Sequence, residues 1–270
     1  MIAVSTVCFG DQWSTADIAA AAHDAKFSGL ELTPERVHEA ATCLAEYGQA
    51  AVTVGALQNF AGGDAAKVAA RAANAQHFIG LAAEVGAQAI LTCLPMDCRT
   101  DPAMAVERLR WMLGAIERRR WPDSPPPEIW AEALSWGLDY NRIDHARKVV
   151  QAVGDHRVKV VVDSAHLFAR GELRDLELIN PACIGLVQIC DLPREPEDGP
   201  DAKLLCRDFR LPPGRGVWAR QNKALMSWLY SHGYDGPVSL EVFSAASRER
   251  KPRDVAADLM AAALQVGVRL

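Results

Sequence analysis

The run Val158-Lys159-Val160-Val161-Val162-Asp163 decides the fold, because it joins a short apolar β-like stretch to a terminal acid. The same plan recurs in three other places. These are Ile129-Trp130-Ala131-Glu132, Gly185-Leu186-Val187-Gln188 and Val238-Ser239-Leu240-Glu241. Each is followed, directly or after a loop, by a stretch of helical periodicity. In a parallel β/α protein such polar residues lie at the carboxyl ends of neighbouring strands, where active sites are built.

Strand-like and helix-like segments alternate from one end of the chain to the other. Strands are predicted within residues 2–9, 29–32, 51–57, 87–94, 128–134, 158–162, 184–190 and 238–243. Helices are predicted near residues 15–26, 34–48, 65–85, 103–119, 139–152, 172–179, 217–232 and 252–266. This alternation over 270 residues favours a single (β/α)8 TIM barrel, one domain spanning 1–270. An open doubly wound sheet is the main alternative, but no Gly-x-Gly-x-x-Gly follows the first strand.

Composition excludes several classes of function. The net charge of −5 does not favour nucleic acid or an anionic membrane as a partner. No apolar run approaches the roughly 20 residues of a membrane span, and the first residues do not have the pattern of a secretion signal. Seven cysteines are scattered without paired CxxC spacing, which is typical of reduced thiols. We therefore expect a cytoplasmic protein.

The four strand-end residues Glu132, Asp163, Gln188 and Glu241 are predicted to converge on a metal ion. A single acid at a strand end is usually a helix cap or a solvated charge. Several acids pointing together repel one another unless a cation or a shared proton relieves them. Three carboxylates and one amide make an oxygen-rich pocket, which suits Mg²⁺, Mn²⁺ or Co²⁺ alike.

His166 is the candidate proton carrier, since it follows the strand-end acid Asp163 by three residues. A histidine in that turn can reach the reacting carbon of a bound substrate and act as general base or acid near neutral pH. The alternative is that His166 only hydrogen-bonds a backbone carbonyl in the loop.

Substrate contacts are predicted mainly from the long segment 191–216, which is rich in Pro, Gly and charge and is expected to be a loop over the barrel mouth. Arg207 and Arg210 in this segment could clamp an anionic substrate through their planar guanidinium groups, or could be solvated loop charges. Trp136 is a candidate pocket wall and Gln58 a candidate partner for substrate hydroxyl groups.

The motifs resemble those of a known group. Val160-Val161-Val162-Asp163-Ser164-Ala165-His166, Pro213-Gly214-Arg215-Gly216 and Leu240-Glu241-Val242-Phe243 resemble the xylose-isomerase-like TIM-barrel superfamily of sugar isomerases, ketose epimerases, cyclitol dehydratases and apurinic endonucleases. Gln188, where most sugar isomerases of this group have histidine, and the stretch 132–137 are similar to the 3-dehydroshikimate dehydratases.

The resemblance implies a divalent-metal-dependent enzyme that abstracts a proton next to the carbonyl of a small polyhydroxylated keto substrate, which carries a carboxylate in the dehydratases. By position, the metal ligands would be Glu132, Asp163, Gln188 and Glu241, with His166 as the base and Glu132 and Glu241 also at the catalytic centre. Arg207 and Arg210 match basic positions of the dehydratases' substrate loop. Barrels of this group often pair, so a homodimer is an expectation.

The front half departs from the dehydratases. They carry an arginine shortly after the third strand, whereas this chain has Leu57-Gln58-Asn59-Phe60 there. A keto-sugar or cyclitol isomerase or epimerase is therefore the alternative to a dehydratase. A DNA-repair nuclease is disfavoured by the acidic balance and by the lack of a second histidine-rich cluster. A barrel that only binds a ligand is a further alternative.

Overall fold

Eight parallel strands form a closed barrel in which the strands pair in sequence order and the last pairs with the first. They are β1 (Ile2–Ser5), β2 (Gly29–Leu32), β3 (Ala50–Leu57), β4 (Ala89–Cys93), β5 (Glu128–Glu132), β6 (Val158–Asp163), β7 (Ile184–Ile189) and β8 (Val238–Leu240). The computed structural model describes residues 1–62, 67–96, 99–122, 124–170, 173–197 and 199–270. The predicted (β/α)8 barrel is confirmed.

Helices surround the barrel. They are α1 (Thr15–Asp24), α2 (Val37–Tyr47), α3 (Val68–Val85), α4 (Pro102–Arg118), α5 (Ile143–Val153), α6 (Ser164–Ala169), α7 (Gly199–Asp208), α8 (Ala219–Ser231), α9 (Ala245–Arg248) and α10 (Pro252–Gln265). Within the described ranges, none of these helices combines the length and the apolar character that a membrane crossing requires.

Three predicted stretches differ from the structure. The first strand, predicted over 2–9, ends at Ser5 and is followed by a 3-10 helix over Thr6–Cys8. The helix predicted at 172–179 is a 3-10 turn over Leu173–Leu178, and the α-helix of this region, α6, begins directly after β6. Asp163 explains the early start, since its Oδ1 accepts hydrogen bonds from the backbone N–H groups of Ala165 and His166 and so caps the helix. The segment 191–216, predicted as a loop, contains α7.

The core has two layers. The larger layer lies between the outer faces of the strands and the helices, and the smaller fills the barrel. The buried residues of the inner layer are Ala3, Val52, Ala89, Leu91, Cys93, Trp130, Leu134, Val161 and Leu186. Trp130 fits because β7 has a glycine beside it: a Cβ atom on Gly185 would lie 2.5 Å from the indole ring.

The cysteines of the described ranges are free thiols. Four of them, at positions 8, 93, 190 and 206, are buried. Cys98 lies outside the described residues.

Candidate active site

The strand register brings the predicted ligands to one mouth of the barrel. Asp163 and Gln188 are register partners at the ends of β6 and β7, and Glu132 ends the neighbouring strand β5. Glu241 directly follows β8, on the other side of β7. Because the carboxyl ends of parallel strands meet at the same edge, these four side chains face a common space.

Asp163 uses its two oxygen atoms differently. Oδ1 caps α6, at 2.6 Å from the backbone nitrogen of Ala165. Oδ2 faces the site and accepts a hydrogen bond of 2.8 Å from Nη1 of Arg210. Burial works to raise the pKa of Asp163, but the guanidinium of Arg210 keeps that pKa below its ordinary value. The helix-cap role considered for a lone strand-end acid is therefore real, yet it occupies only one oxygen.

Arg210 is buried among the acids. Its Nη1 lies 2.8 Å from Oδ2 of Asp163 and 2.9 Å from Oε2 of Glu241. Its Nε donates a 2.7 Å hydrogen bond to the backbone carbonyl of Cys206. The side chain is 2 % exposed. Arg210, predicted to contact substrate, thus pairs with two of the predicted metal ligands.

Gln188 is held by an acid that the sequence did not connect with it. Its Nε2 donates to both oxygen atoms of Glu31, at 3.1 and 3.3 Å, and Thr53 donates to the same carboxylate at 3.0 Å. With the amide nitrogen engaged, Oε1 of Gln188 is buried and has no hydrogen-bond partner in the described part of the chain. Burial raises the pKa of Glu31, although the hydrogen bonds from Gln188 and Thr53 oppose this effect.

Glu132 and His166 lie side by side at the mouth, after the neighbouring strands β5 and β6. Nε2 of His166 lies 3.6 Å from Oε1 of Glu132 and 3.7 Å from Oδ2 of Asp163. The other oxygen of Glu132 accepts a hydrogen bond from the thiol of Cys93, at 3.4 Å. Burial, reinforced by the charge of Asp163, raises the pKa of Glu132 to about 8. Burial lowers the pKa of His166 to about 4, so the ring is neutral at pH 7.

Ser135 and Trp136, in the loop after β5, contact the His166 ring. The backbone nitrogen of Ser135 lies 3.4 Å from Nδ1, and its hydroxyl lies 3.2 Å from the same atom. The ring of Trp136 packs edge-on, with 4.9 Å between centroids. The hydroxyl both donates and accepts, whereas the backbone N–H only donates, so the two contacts together favour the neutral tautomer of His166 that has its hydrogen on Nε2. Ser135 and Cys93 were missed at the sequence level, since serine or cysteine next to a strand end carries no distinctive signal.

These residues fit a divalent cation. Burial raises the pKa of Glu241 well above its ordinary value, as it does for Glu132, so the acids are incompletely compensated by Arg210. The orphaned Oε1 of Gln188 is an acceptor without a donor, which a cation would satisfy. Atoms of Glu132, Asp163 and His166 also lie within 4.8 Å of one another, which defines a second possible ligand set that includes the histidine.

A cavity of about 320 Å³ opens beside these acids. Glu31, Glu241 and Phe243 line it, and so do two of the predicted substrate-binding residues, Gln58 and Arg207. An adjoining cavity of about 660 Å³ shares Val7, Thr33 and Glu35 with it and extends toward the start of α1.

Asp191 fastens the segment that carries α7 and both arginines. Its Oδ1 accepts hydrogen bonds of 2.9 Å from the backbone nitrogens of Leu192 and Trp218, and its Oδ2 accepts one of 3.1 Å from Gly214. A Cβ atom on Gly216 would lie 2.1 Å from the carbonyl oxygen of Leu192. The Gly-x-Gly motif at 214–216 thus serves a close backbone approach. We refer to these contacts as the Asp191 clasp.

Comparisons with known proteins agree with the barrel. The family model described as xylose isomerase-like TIM barrel matches residues 17–264. The 3-dehydroshikimate dehydratase of Pseudomonas aeruginosa is 28% identical over 189 residues, which are 68% of this chain and 28% of that protein. This chain therefore spans well under half of that relative's length.

Solved structures share the fold. One is a xylose isomerase-like TIM barrel/4-hydroxyphenylpyruvate dioxygenase fusion protein, with a TM-score of 0.86 and 24% identity over 98% of this chain and 42% of that chain. Another is the IolI protein with a bound zinc atom, with a TM-score of 0.83 and 17% identity over 98% of this chain and 97% of that chain.

Proposed function

Since the chain belongs to the xylose isomerase-like TIM-barrel family, we propose that it is a divalent-metal-dependent enzyme that removes a proton next to the carbonyl of a polyhydroxylated keto substrate. More narrowly, we propose a lyase of the 3-dehydroshikimate dehydratase type. One observation carries the proposal: a neutral histidine, His166, lies against two buried carboxylates at a barrel mouth where Gln188 keeps an unpaired oxygen.

The proposed ligands are Glu132, Asp163, Gln188 and Glu241. When bound, the ion supplies Lewis-acid polarisation of a substrate carbonyl. The zinc atom of IolI supports a divalent ion, while three carboxylates and an amide also suit Mg²⁺, Mn²⁺ or Co²⁺. We prefer this set to the one that includes His166, because it uses the orphaned oxygen of Gln188 and leaves the imidazole for proton transfer.

His166 is the proposed base. To take a proton at Nε2, the ring has to adopt the tautomer with its hydrogen on Nδ1, in which Nδ1 donates to the hydroxyl of Ser135, 3.2 Å away, and the 3.4 Å hydrogen bond from the backbone N–H of Ser135 is given up. A pKa near 4 keeps this lone pair free at neutral pH but makes the ring a weak base. It therefore suits a carbon acid whose proton has been made acidic by the neighbouring carbonyl. In the lyase, the electron pair left on carbon forms a double bond as the β-hydroxyl departs as hydroxide, which takes up the proton that His166 removed, so that one water molecule is lost.

The cavity of about 320 Å³ is the proposed substrate site. Arg207, exposed on α7 and lining the cavity, is the proposed partner of a substrate carboxylate. Gln58 would hydrogen-bond a substrate hydroxyl, and Trp136 would wall the site behind His166.

The test of the lyase uses the protein with Mn²⁺, Mg²⁺ or Co²⁺ and 3-dehydroshikimate. We expect protocatechuate absorbance to appear, and we expect the variant His166→Gln to lose it while still binding the metal. A complete absence of protocatechuate with every ion, from folded protein that binds metal, would exclude the lyase.

The second candidate is a keto-sugar or cyclitol isomerase or epimerase. It is favoured by Gln58, an uncharged residue of the cavity that lies in the stretch after β3 where this sequence departs from the dehydratase resemblance. A deuterium wash-in screen over ketoses distinguishes the two reactions, because exchange at carbon without loss of water means isomerisation or epimerisation.

A further inference from the structure

We propose that Arg210 is the protein's own cation for the metal centre: it neutralises Asp163 and Glu241 when no metal is bound and has to leave them when a divalent ion binds. The inference rests on the proposed metal site. It changes the role predicted for Arg210 from a clamp on substrate to a competitor of the metal.

The first argument is geometric. One nitrogen atom, Nη1, lies within 2.9 Å of oxygen atoms from two proposed ligands, Oδ2 of Asp163 and Oε2 of Glu241. Asp163 has no other oxygen to offer, because its Oδ1 is committed to the cap of α6 at 2.6 Å from the backbone nitrogen of Ala165. A metal–oxygen bond of about 2.1 Å to Oδ2 would thus be made at the atom that already accepts a hydrogen bond from Arg210, which would place the ion and the guanidinium next to each other.

The second argument is electrostatic. Glu31, Glu132, Asp163 and Glu241 are all buried or nearly so, and the guanidinium of Arg210 is the buried cation that the structure pairs with two of them. A divalent ion beside the same oxygens would place like charges a few ångströms apart with little water between them, where their repulsion is weakly screened. Either cation can compensate the acids, but the two do not share them without a penalty.

The third argument concerns which part of Arg210 can move. Its main chain is fixed, since its N–H donates to the carbonyl of Phe243 at 2.9 Å and the flanking residues Phe209 and Leu211 form bridges to Ser244 and Asp191. The side chain is held through Nε and Nη1, by contacts that a rotation about its χ angles can break. The guanidinium already lies 5.2 Å from the ring of Phe243, which lines the substrate cavity, so Arg210 can turn toward the cavity without leaving this ring.

The experiment measures Mn²⁺ affinity by calorimetry on metal-free protein, with thermal stability in EDTA measured in parallel. We expect Arg210→Gln to bind Mn²⁺ about tenfold more tightly than the wild type and to have a lower Tm without metal, because its acids are then left uncompensated. Arg210→Lys retains a cation and should stay near the wild type. Arg215→Gln, which removes a surface pair with Asp258, is the matched control and should change neither quantity.

Equal or weaker Mn²⁺ binding by folded Arg210→Gln would overturn the inference while leaving the metal site intact. If neither protein binds a divalent ion, the proposed function fails as well. Should Arg210→Gln not fold, a crystal of the wild type soaked in Mn²⁺ decides the matter. We expect Nη1 to have moved beyond hydrogen-bond distance of Oδ2 of Asp163, and an unmoved Arg210 beside a bound ion would refute the proposal.

Discussion

Gln188 and Glu31 are 157 residues apart in sequence, yet the amide of Gln188 donates to both oxygen atoms of the Glu31 carboxylate. The bond runs from β7 to β2, past the two strands between them in the barrel, β8 and β1. It fixes which end of the amide is committed to the protein and which end, Oε1, is left for a ligand. Glu31 is therefore the residue that orients the one neutral member of the proposed metal site.

Replacement of Glu31 tests this orientation. Glu31→Gln should weaken Mn²⁺ binding about tenfold, because partners that orient metal ligands typically contribute that much or more. Calorimetry on the metal-free protein measures the change. Glu35→Gln is the control, since Glu35 is an exposed acid lining the same cavity and should leave the affinity unaltered. Equal Mn²⁺ affinities of Glu31→Gln and Glu35→Gln would show that Glu31 does not orient a metal ligand.

His166→Gln separates the two possible ligand sets. If His166 carries a proton and does not bind metal, the variant should lose roughly 10²–10⁴-fold in kcat and keep its Mn²⁺ affinity within about twofold. Turnover and calorimetry are measured on the same preparation. A parallel loss of metal affinity would instead assign His166 to the trio with Glu132 and Asp163.

The metal-free protein should lose stability as the pH rises from 6.5 to 8. Folded Glu132, with a pKa near 8 against an ordinary 4.5, keeps a proton that the unfolded chain has released, so its contribution to stability is lost as pH rises through this range. His166 acts in the opposite sense mainly below 6.5, where most unfolded chains gain a proton that the buried ring does not take up, and this effect fades by about pH 7.5.

The expected loss in the free energy of unfolding is about 2 kcal/mol between pH 6.5 and 8, from about 1.4 kcal/mol per pH unit. Urea denaturation in EDTA at several pH values measures it. Glu132→Gln should have a clearly smaller slope, because the substituted amide does not titrate. A wild-type protein that is equally stable at both pH values would contradict the assignment.

Arg207→Gln tests the proposed carboxylate partner. Removal of a charge-assisted hydrogen bond of about 1.5–3 kcal/mol should raise KM for 3-dehydroshikimate roughly 10–100-fold with little change in kcat. The matched comparison is Arg220→Gln, a change on α8 away from the cavity. If Arg207→Gln leaves KM unchanged, the carboxylate is bound elsewhere or the substrate has none.

Gly185→Ala tests the packing inside the barrel. The added Cβ would lie 2.5 Å from the Trp130 ring and should destabilise the protein by about 1–3 kcal/mol. Gly80→Ala on α3 is the matched control, since a Cβ there meets nothing within 4 Å and a helical alanine should add about 0.5–1 kcal/mol. Denaturant unfolding of both variants measures the free energy of unfolding, which should fall for Gly185→Ala and rise for Gly80→Ala.

The sequence predicted the barrel and the meeting of the strand-end residues because both follow from local patterns. A short apolar run followed by a polar residue specifies a strand and its carboxyl end, and closure of a parallel sheet then brings such ends together. The positions of Glu132, Asp163 and Gln188 at the barrel mouth could be predicted from these local patterns alone.

The hydrogen-bond partners of these residues could not be predicted from the sequence. The bond between Gln188 and Glu31 and the placement of Arg210 on Asp163 depend on side-chain directions across the mouth, which no pattern along the chain encodes. α7 was hidden for a different reason: the proline, glycine and charge around 191–216 resemble a loop, and the ten-residue helix within them is polar overall, with a short buried face of Ala202, Leu205 and Cys206.

The Asp191 clasp has a consequence for how a ligand arrives. With the backbone tied at Leu192, Gly214 and Trp218, the side of the mouth that carries α7 is not free to swing aside like a gate. Substrate and product would then enter and leave past β1 and β2, where the cavities beside Val7 and Thr33 open outward. Because the α7 side of the mouth is already held in place, a ligand that binds against it would cost the protein little conformational entropy.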